Sequence, residues 1–144
     1  MTTELDTITY TASATATGGR AGHARSSDGS LDLDLRPPVE MGGPGGATNP
    51  EQLFAAGYAA CFQGALGVAG RRTKVDTSQS LVTCEVSIGP VGDAFGLAVS
   101  VEVAIPGMDE TTCQQLADEA HRVCPYSNAT RGNIPVTVRA TAAA

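Results

Sequence analysis

Alternating apolar and polar residues in the first part of the chain predict strands. Residues 7–15 are rich in β-branched side chains, and residues 22–26 lead through Ser-Asp-Gly-Ser into a strict alternation of Leu and Asp at 31–35. β-Branched residues and a period of two are typical of strands, and a turn sequence between two such runs is typical of a hairpin. We therefore predict a strand followed by a hairpin.

A long apolar segment, residues 53–69, predicts a buried helix. Before it, residues 36–49 contain three prolines and four glycines and predict a loop. Residues 48–51, Thr-Asn-Pro-Glu, then offer a capping side chain, a proline suited to a first turn and an acid for the positive helix end. Glycines and a glutamine interrupt the apolar residues, which leaves too little bulk for a membrane span. We predict a core helix from about residue 50 to Gly70.

The second half of the chain predicts a further hairpin, a helix and a last strand. Residues 80–88 and 94–105 alternate on either side of a Gly-Pro-Val-Gly-Asp turn. Asp109 opens a helical pattern that ends before Pro125, and residues 134–139 predict a short strand. The predicted order is β-β-β-α-β-β-α-β, with two groups of antiparallel strands around a central buried helix. Grouped strands without a βαβ repeat indicate an α+β fold, in a single domain spanning 1–144.

Composition excludes several classes of function. The chain of 144 residues carries 9 basic and 15 acidic side chains, a net charge of -6, and no cluster of Lys or Arg. A nucleic-acid partner is therefore not expected, because phosphate backbones are bound by clustered cations. The first residues lack the basic start and apolar run of a secretory signal, so we expect a cytoplasmic protein without a membrane segment.

Four cysteines, at 61, 84, 113 and 124, are the main candidates for chemistry. In a reducing compartment they do not form a disulfide framework, and none has zinc-site spacing, so we expect no bound metal. Small neighbours leave room beside Cys61, and Cys124 directly precedes Pro125, where the chain must leave helical geometry. These two thiols lie 63 residues apart, so the sequence alone leaves open whether they meet.

The other cysteines and both histidines have structural interpretations. Cys84 and Cys113 lie on apolar faces of their predicted elements and are expected to be core thiols. His23 and His121 are expected at the surface or half-buried. Either histidine could act as the base of a cysteine hydrolase, which would also need an oxyanion hole and is kept as an alternative.

Three segments carry a resemblance to a known family. They are Tyr-Thr-Ala at 10–12 with Gly-Gly-Arg at 18–20, the run ATNPEQLFAAGYAACF at 47–62, and VCPYSNATRGN at 123–133. With them the chain resembles the organic hydroperoxide resistance (Ohr) proteins of the Ohr/OsmC superfamily along nearly its whole length. The resemblance implies an OsmC-like fold, an intertwined homodimer and a peroxidase that reduces organic hydroperoxides.

The same resemblance implies residue roles and partners. Cys61 would be the peroxidatic thiol, Cys124 the resolving thiol, and Arg20 and Glu51 a polar pair that tunes the site. No bound cofactor is expected, and a dithiol, dihydrolipoamide or a lipoylated protein, would reduce the enzyme. The permanent charge of Arg20 suits this role, because only the thiolate attacks peroxide efficiently. An OsmC-type peroxidase and a non-enzymatic redox sensor remain alternatives.

Helix geometry adds a prediction about assembly. Glu51 and Cys61 are ten residues apart, so on one straight helix about 15 Å separates their backbones. Two copies of the helix packed antiparallel would bring Glu51 of one chain towards Cys61 of the other. We therefore predict an obligate homodimer with shared sites, unless the helix is broken or Arg20 spans the gap within one chain.

Overall fold

The computed structural model describes residues 2–142. Residues up to Pro50 form one compact unit, and residues from Glu51 onward form a second. The first unit contains a three-stranded antiparallel sheet in the order β1-β2-β3, formed by Ala14–Thr17, His23–Ser26 and Asp32–Asp34. Of two short 3-10 helices, Gly19–Ala21 lies between β1 and β2, and Val39–Met41 follows β3.

The predicted hairpin is present, and its turn is held by one carboxylate. Asp28 accepts hydrogen bonds from the Ser26 hydroxyl and from both the backbone N–H and the hydroxyl of Ser30. The Ser26 hydroxyl, followed by the two Ser30 groups, lowers the pKa of Asp28 to about 2. Gly29 has a φ of 76°, which a side chain would disfavour. The turn is therefore specified by its own residues.

The first strand begins later than predicted. The prediction covered residues 7–15, whereas β1 is Ala14–Thr17 and only residues 14–17 pair with β2. A strand needs a partner of matching length, and β2 has four residues. β-Branched composition alone could not set where the pairing begins.

The second unit contains the helices and a longer sheet. It comprises α1 (Pro50–Thr73, which begins one residue before the unit), β4 (Leu81–Val91), β5 (Ala94–Ala104), α2 (Glu110–Val123), α3 (Pro125–Thr130) and β6 (Val136–Ala140). The predicted order is confirmed except for α3, which the sequence analysis did not predict. The chain has the α+β class that grouped strands indicated.

The β4–β5 hairpin is longer than its sequence predicted. The strands pair from Leu81 opposite Ala104 to Val91 opposite Ala94, so the turn contains only Gly92 and Asp93. The predicted turn included Gly89 and Pro90, which instead continue β4. Proline is tolerated there because β4 is an edge strand of the sheet.

The prediction of purely antiparallel strand groups is wrong for the second sheet. β6 pairs with β5 in parallel, with Val99 opposite Val136 and Val103 opposite Ala140. Parallel neighbours require a long crossover, and α2 and α3 together supply it. The crossover matters for the site because it carries Cys124.

The predicted core helix is confirmed as α1. Its buried residues, Tyr58, Phe62, Leu66 and Ala69, recur at helical spacing and join one apolar cluster with β5 and α2. By length and composition α1 could span a membrane, and a third of its most apolar window is buried inside the protein. Its place in the cluster identifies it as the core helix of a globular unit.

Candidate active site

Cys61 lies in the middle of α1, on the edge of the core. It is half-buried and packs against the buried cluster, one helical turn after the fully buried Tyr58. Gly57 lies beside the Tyr126 ring, and a Cβ at this position would come within 3.2 Å of the tyrosine oxygen. The small residues before Cys61 therefore let an aromatic side chain of α3 approach the helix closely.

Cys124 lies between two helices. It is the last residue before α3 and the first after α2, with extended backbone angles of φ −60° and ψ 123°. Pro125 enforces this break, because its ring cannot continue α2 but suits the first position of α3. The Cys124 side chain is fully buried. Its backbone nevertheless stays bonded on both sides, through Ala120 O and the N–H of Asn128.

The two sulfur atoms are in contact. Both cysteines are free thiols, and Cys124 Sγ lies 3.5 Å from Cys61 Sγ. A disulfide bond is about 2.05 Å long, so a shift of about 1.5 Å would join them. The pairing that the sequence left open is therefore available within one chain.

Burial and two neighbouring residues set the pKa of Cys61. Burial raises the pKa of its thiol, the backbone N–H of Tyr126 opposes this by donating to the sulfur, and neighbouring Cys124 raises it further. The net direction is upward. These contacts alone therefore favour the neutral thiol, and a nearby cation would be needed to favour the thiolate.

Three aromatic rings lie on the two helices next to the cysteines in sequence, α1 and α3. The rings of Phe54, Tyr58 and Tyr126 are mutually packed, with centroids 5.7 to 6.2 Å apart. Tyr58 is fully buried, whereas Tyr126 is 41% exposed. Phe62, one residue after Cys61, is also fully buried and belongs to the core. Of these rings, Tyr126 is the most exposed and Phe54 is half-buried.

A buried polar network runs behind the aromatic cluster. The Tyr58 hydroxyl lies 2.8 Å from the Ser127 hydroxyl and 3.2 Å from that of Thr130. His121 Nδ1 lies 2.7 Å from the same Ser127 hydroxyl. Burial, and then the charge of Arg131, lowers the pKa of His121. His121 is half-buried, as expected from its sequence, and no sequence signal pairs it with Ser127, Tyr58 or Thr130.

Arg20 and Glu51 belong to the two different units. Arg20 is half-buried in the 3-10 helix Gly19–Ala21, which follows Gly18 at a φ of 72°. Glu51 is half-buried in the first turn of α1, where a carboxylate complements the helix dipole. The helix runs unbroken from Glu51 past Cys61. Their roles in tuning the thiol stay predictions.

Comparisons with known proteins identify the family. A family model described as OsmC-like protein matches residues 43–139. The organic hydroperoxide resistance protein of Xanthomonas axonopodis pv. citri is 54% identical over 133 residues, which cover 91% of this chain and 94% of that protein. The chain belongs to the OsmC-like family, in its organic hydroperoxide resistance branch.

Solved structures of this branch have the same fold. The organic hydroperoxide resistance protein of Elizabethkingia anophelis matches with a TM-score of 0.89 and 45% identity, covering 96% of this chain and 100% of that one. OhrB of Bacillus subtilis matches with a TM-score of 0.84 and 41% identity, covering 93% and 100%. The resemblance inferred from the three sequence segments and the OsmC-like fold are both confirmed.

The remaining candidate residues have structural roles in this family member. Cys113 is buried in the core and its thiol donates to Val103 O at 3.6 Å. Burial raises the pKa of Cys84, with a further contribution from Cys124, to about 11. Both core-thiol predictions are confirmed.

His23 is 41% exposed and pairs with Asp32 and Asp34. Within residues 2–142, no group of three side chains could hold a metal ion.

Proposed function

We propose that this protein is a thiol peroxidase that reduces organic hydroperoxides through a Cys61–Cys124 disulfide. The Cys61 thiolate attacks the outer peroxide oxygen, an S–O bond forms as the O–O bond breaks, and the alkoxide leaves as an alcohol after taking a proton. Cys124 then attacks the Cys61 sulfenic acid, which forms the disulfide and releases water. An external dithiol supplies two electrons and two protons to reopen the bond.

The 3.5 Å separation of the two sulfur atoms carries the proposal. Exposure supports the order of the two thiols, because Cys61 is half-buried whereas Cys124 has no exposed surface. A peroxide can meet Cys61 at the edge of the core. Cys124 is reached only by a group already inside the site, as the sulfenic acid on Cys61 would be.

Activation of Cys61 is assigned to Arg20, positioned by Glu51. Burial raises the pKa of Cys61, and the Tyr126 N–H opposes this without reversing it. A guanidinium would favour the thiolate and also stabilise the alkoxide that leaves. Glu51 would fix the orientation of that guanidinium. This assignment comes from the family resemblance, and the upward direction of the Cys61 pKa supports a role for a cation.

Organic hydroperoxides are the expected substrates. The relatives at 40–54% identity include proteins named for organic hydroperoxide resistance. In this chain, the partly exposed Tyr126 ring and the neighbouring Phe54 ring offer apolar surface beside Cys61. Such a surface favours a substrate with a hydrocarbon portion over hydrogen peroxide.

A homodimer in the cytoplasm is part of the proposal. Ala56, Ala60 and Gly64 form an exposed line of small residues along α1, suited to close packing of a second helix. Apolar side chains in both units are also exposed, including Ile8, Tyr10 and Phe95. A second copy packed over these surfaces would remove them from water.

Turnover with defined reductants tests the proposal. Purified protein is given an organic hydroperoxide with dihydrolipoamide and, separately, with a monothiol at equal thiol concentration. We expect many turnovers with the dithiol, slower turnover with the monothiol, and a Cys61–Cys124 disulfide by mass spectrometry before reductant is added. Oxidation that stops after one equivalent despite excess dithiol would indicate a redox sensor. Peroxide consumption without the disulfide would contradict the two-cysteine mechanism.

A further inference from the structure

In the buried polar network of Tyr58, Ser127, Thr130 and His121, the donor of each hydrogen bond can be assigned. Thr130 Oγ1 donates to backbone carbonyls, those of Tyr126 at 3.0 Å and Ser127 at 3.2 Å. A carbonyl can only accept, and a hydroxyl has one proton, so the Thr130 proton is committed to the backbone. The contact between Thr130 and Tyr58 therefore requires that the Tyr58 hydroxyl donates.

The same count of hydroxyl protons identifies the donor in the contact with His121. Since the Tyr58 proton goes to Thr130, the Ser127 hydroxyl must donate to Tyr58. Ser127 then has no proton left for His121, so Nδ1 of His121 must be the donor in their 2.7 Å contact. All contacts are satisfied at once only in this order, from His121 through Ser127 and Tyr58 to Thr130. The network thus fixes which ring nitrogen of His121 carries hydrogen.

The network joins the helix of Cys61 to the segment of Cys124. Tyr58 precedes Cys61 by one turn of α1, and its two hydroxyl partners are both on α3. Cys124, the residue that caps α3, places its sulfur 3.5 Å from Cys61 Sγ, and the N–H of Tyr126 in α3 lowers the pKa of Cys61. Tyr58 and Ser127 have no exposed surface, so water cannot replace a missing partner. Displacing α3 would therefore break buried hydrogen bonds.

We propose that Tyr58, Ser127 and His121 are positioning residues, a hydrogen-bond chain of fixed direction that holds α3 against Cys61. This inference rests on the proposed peroxidase function and concerns its second step, the attack of Cys124 on the Cys61 sulfenic acid. With α3 held, Cys124 stays within reach of the Cys61 sulfenic acid. Without the chain, the sulfenic acid forms but waits longer for its partner, and a second peroxide can oxidise it to sulfinic acid.

Two kinds of variant test the chain. Tyr58→Phe removes the central hydroxyl and keeps the ring, and Tyr10→Phe is the matched control, since it removes a tyrosine hydroxyl outside the network, in the first unit. At His121, Asn places an amide N–H near the Nδ1 position, whereas Gln places it nearer the other ring nitrogen. The direction of the chain therefore predicts that His121→Asn retains the function of the histidine and His121→Gln does not.

The measurements separate positioning from simple loss of structure. After confirming folding by circular dichroism, one equivalent of organic hydroperoxide is added, and disulfide formation is followed by quenched mass spectrometry. We expect disulfide formation to slow about tenfold in Tyr58→Phe and His121→Gln, with more sulfinic acid, and to stay within about threefold of wild type in His121→Asn and Tyr10→Phe. The pH profile of Cys61 alkylation should also move upward in the two slowed variants, because the Tyr126 N–H would be held less firmly.

Specific results would overturn the inference. Unchanged disulfide rates in a folded Tyr58→Phe variant, or equal rates in His121→Asn and His121→Gln, would remove the chain from positioning. If Tyr58→Phe does not fold, the two His121 variants decide. Failure of the proposed function is seen separately, as a wild-type protein that forms no Cys61–Cys124 disulfide. In that case hydrogen exchange at the Tyr126 amide still tests positioning, since it should be faster in His121→Gln than in His121→Asn.

Discussion

Cys124 Sγ lies 3.5 Å from Cys61 Sγ, and the nearby backbone N–H of Tyr126 lowers the pKa of Cys61. Both effects come from residues next to Pro125, which starts α3. The placement of one short helix therefore controls both the surroundings of the first thiol and the approach of the second. The predictions on the cysteines follow from this arrangement.

Replacing Cys61 by serine should abolish peroxidase turnover. A serine hydroxyl is not appreciably ionised at neutral pH and cannot replace the thiolate. Turnover of an organic hydroperoxide with dihydrolipoamide is the measurement, and Cys84→Ala is the matched control because that thiol has a pKa of about 11. Retention of a tenth of wild-type turnover, equivalent to a loss of only about 1.4 kcal/mol, would contradict the assignment.

Replacing Cys124 by serine should separate the two steps. Serine is a favourable residue before a helix, so α3 should still form. We expect Cys61 to oxidise once, no intramolecular disulfide to form, and excess peroxide to convert Cys61 to sulfinic acid. Intact-mass spectrometry distinguishes these products. Absence of sulfinic acid after excess peroxide, with Cys61 shown to have oxidised, would argue that Cys124 is not the resolving thiol.

Replacing Arg20 by alanine should raise the pKa of Cys61 further. Burial already raises the pKa of this thiol, and the proposed guanidinium is the group that opposes burial. The pH dependence of Cys61 alkylation should therefore shift upward and oxidation at neutral pH should slow. Arg25→Ala is the control, because Arg25 is an exposed arginine of the same unit. Superimposable alkylation profiles for Arg20→Ala and wild type would exclude Arg20 from the site.

Mixing an inactive variant with an impaired one tests whether sites are shared between chains. Cys61→Ser and Glu51→Ala proteins are combined under conditions of subunit exchange. If each site takes Glu51 from one chain and Cys61 from the other, heterodimers keep one intact site and activity rises above the sum of the separate variants. If each chain builds its own site, activity does not rise. Exchange itself is confirmed by native mass spectrometry of differently tagged chains.

The His23 cluster predicts a pH dependence of stability in the first unit. The hydrogen bond with Asp34, followed by that with Asp32, raises the pKa of His23. A raised histidine pKa means that the stabilisation is fully present below the unfolded value of about 6.5 and is lost as pH rises through the folded value. The Asp34→Asn variant should therefore lose more stability relative to wild type near pH 6 than near pH 9.

Titration of the His23 ring by NMR gives the direct measurement for this cluster. The Asp34→Asn variant should show a lower pKa for His23 than wild type, with Asp93→Asn as a control in the other unit. The stability effect should be small because both partners are largely exposed. An unchanged His23 titration in Asp34→Asn would show that the pair does not persist in solution.

Much of the fold could be predicted because local patterns specify it. The buried positions of α1 have helical spacing, Pro50 and Glu51 suit its start, and the β4–β5 alternation extends over both strands. Features that depend on distant partners could not be predicted. The limits of β1 depend on the length of β2, and the direction of β6 depends on the crossover before it.

The site could be predicted in part for the same reason. Family resemblance pointed to Cys61 and Cys124, and only the folded chain brings sulfur atoms 63 residues apart to 3.5 Å. The hydrogen bonds of the Tyr58 hydroxyl could not be predicted, because nothing in the local sequence marks its partners on α3. Polar networks inside a core depend on tertiary packing, which a single sequence does not display.

The helix break at Pro125 affects how the backbone would respond to oxidation of Cys124. Because the break between α2 and α3 falls at Cys124, we expect the shift of about 1.5 Å that would join the two sulfur atoms to leave both helices intact. Far-ultraviolet circular dichroism of the reduced and oxidised protein should therefore be nearly the same. A protein that is oxidised and reduced many times would then keep the same backbone hydrogen bonds in both redox states.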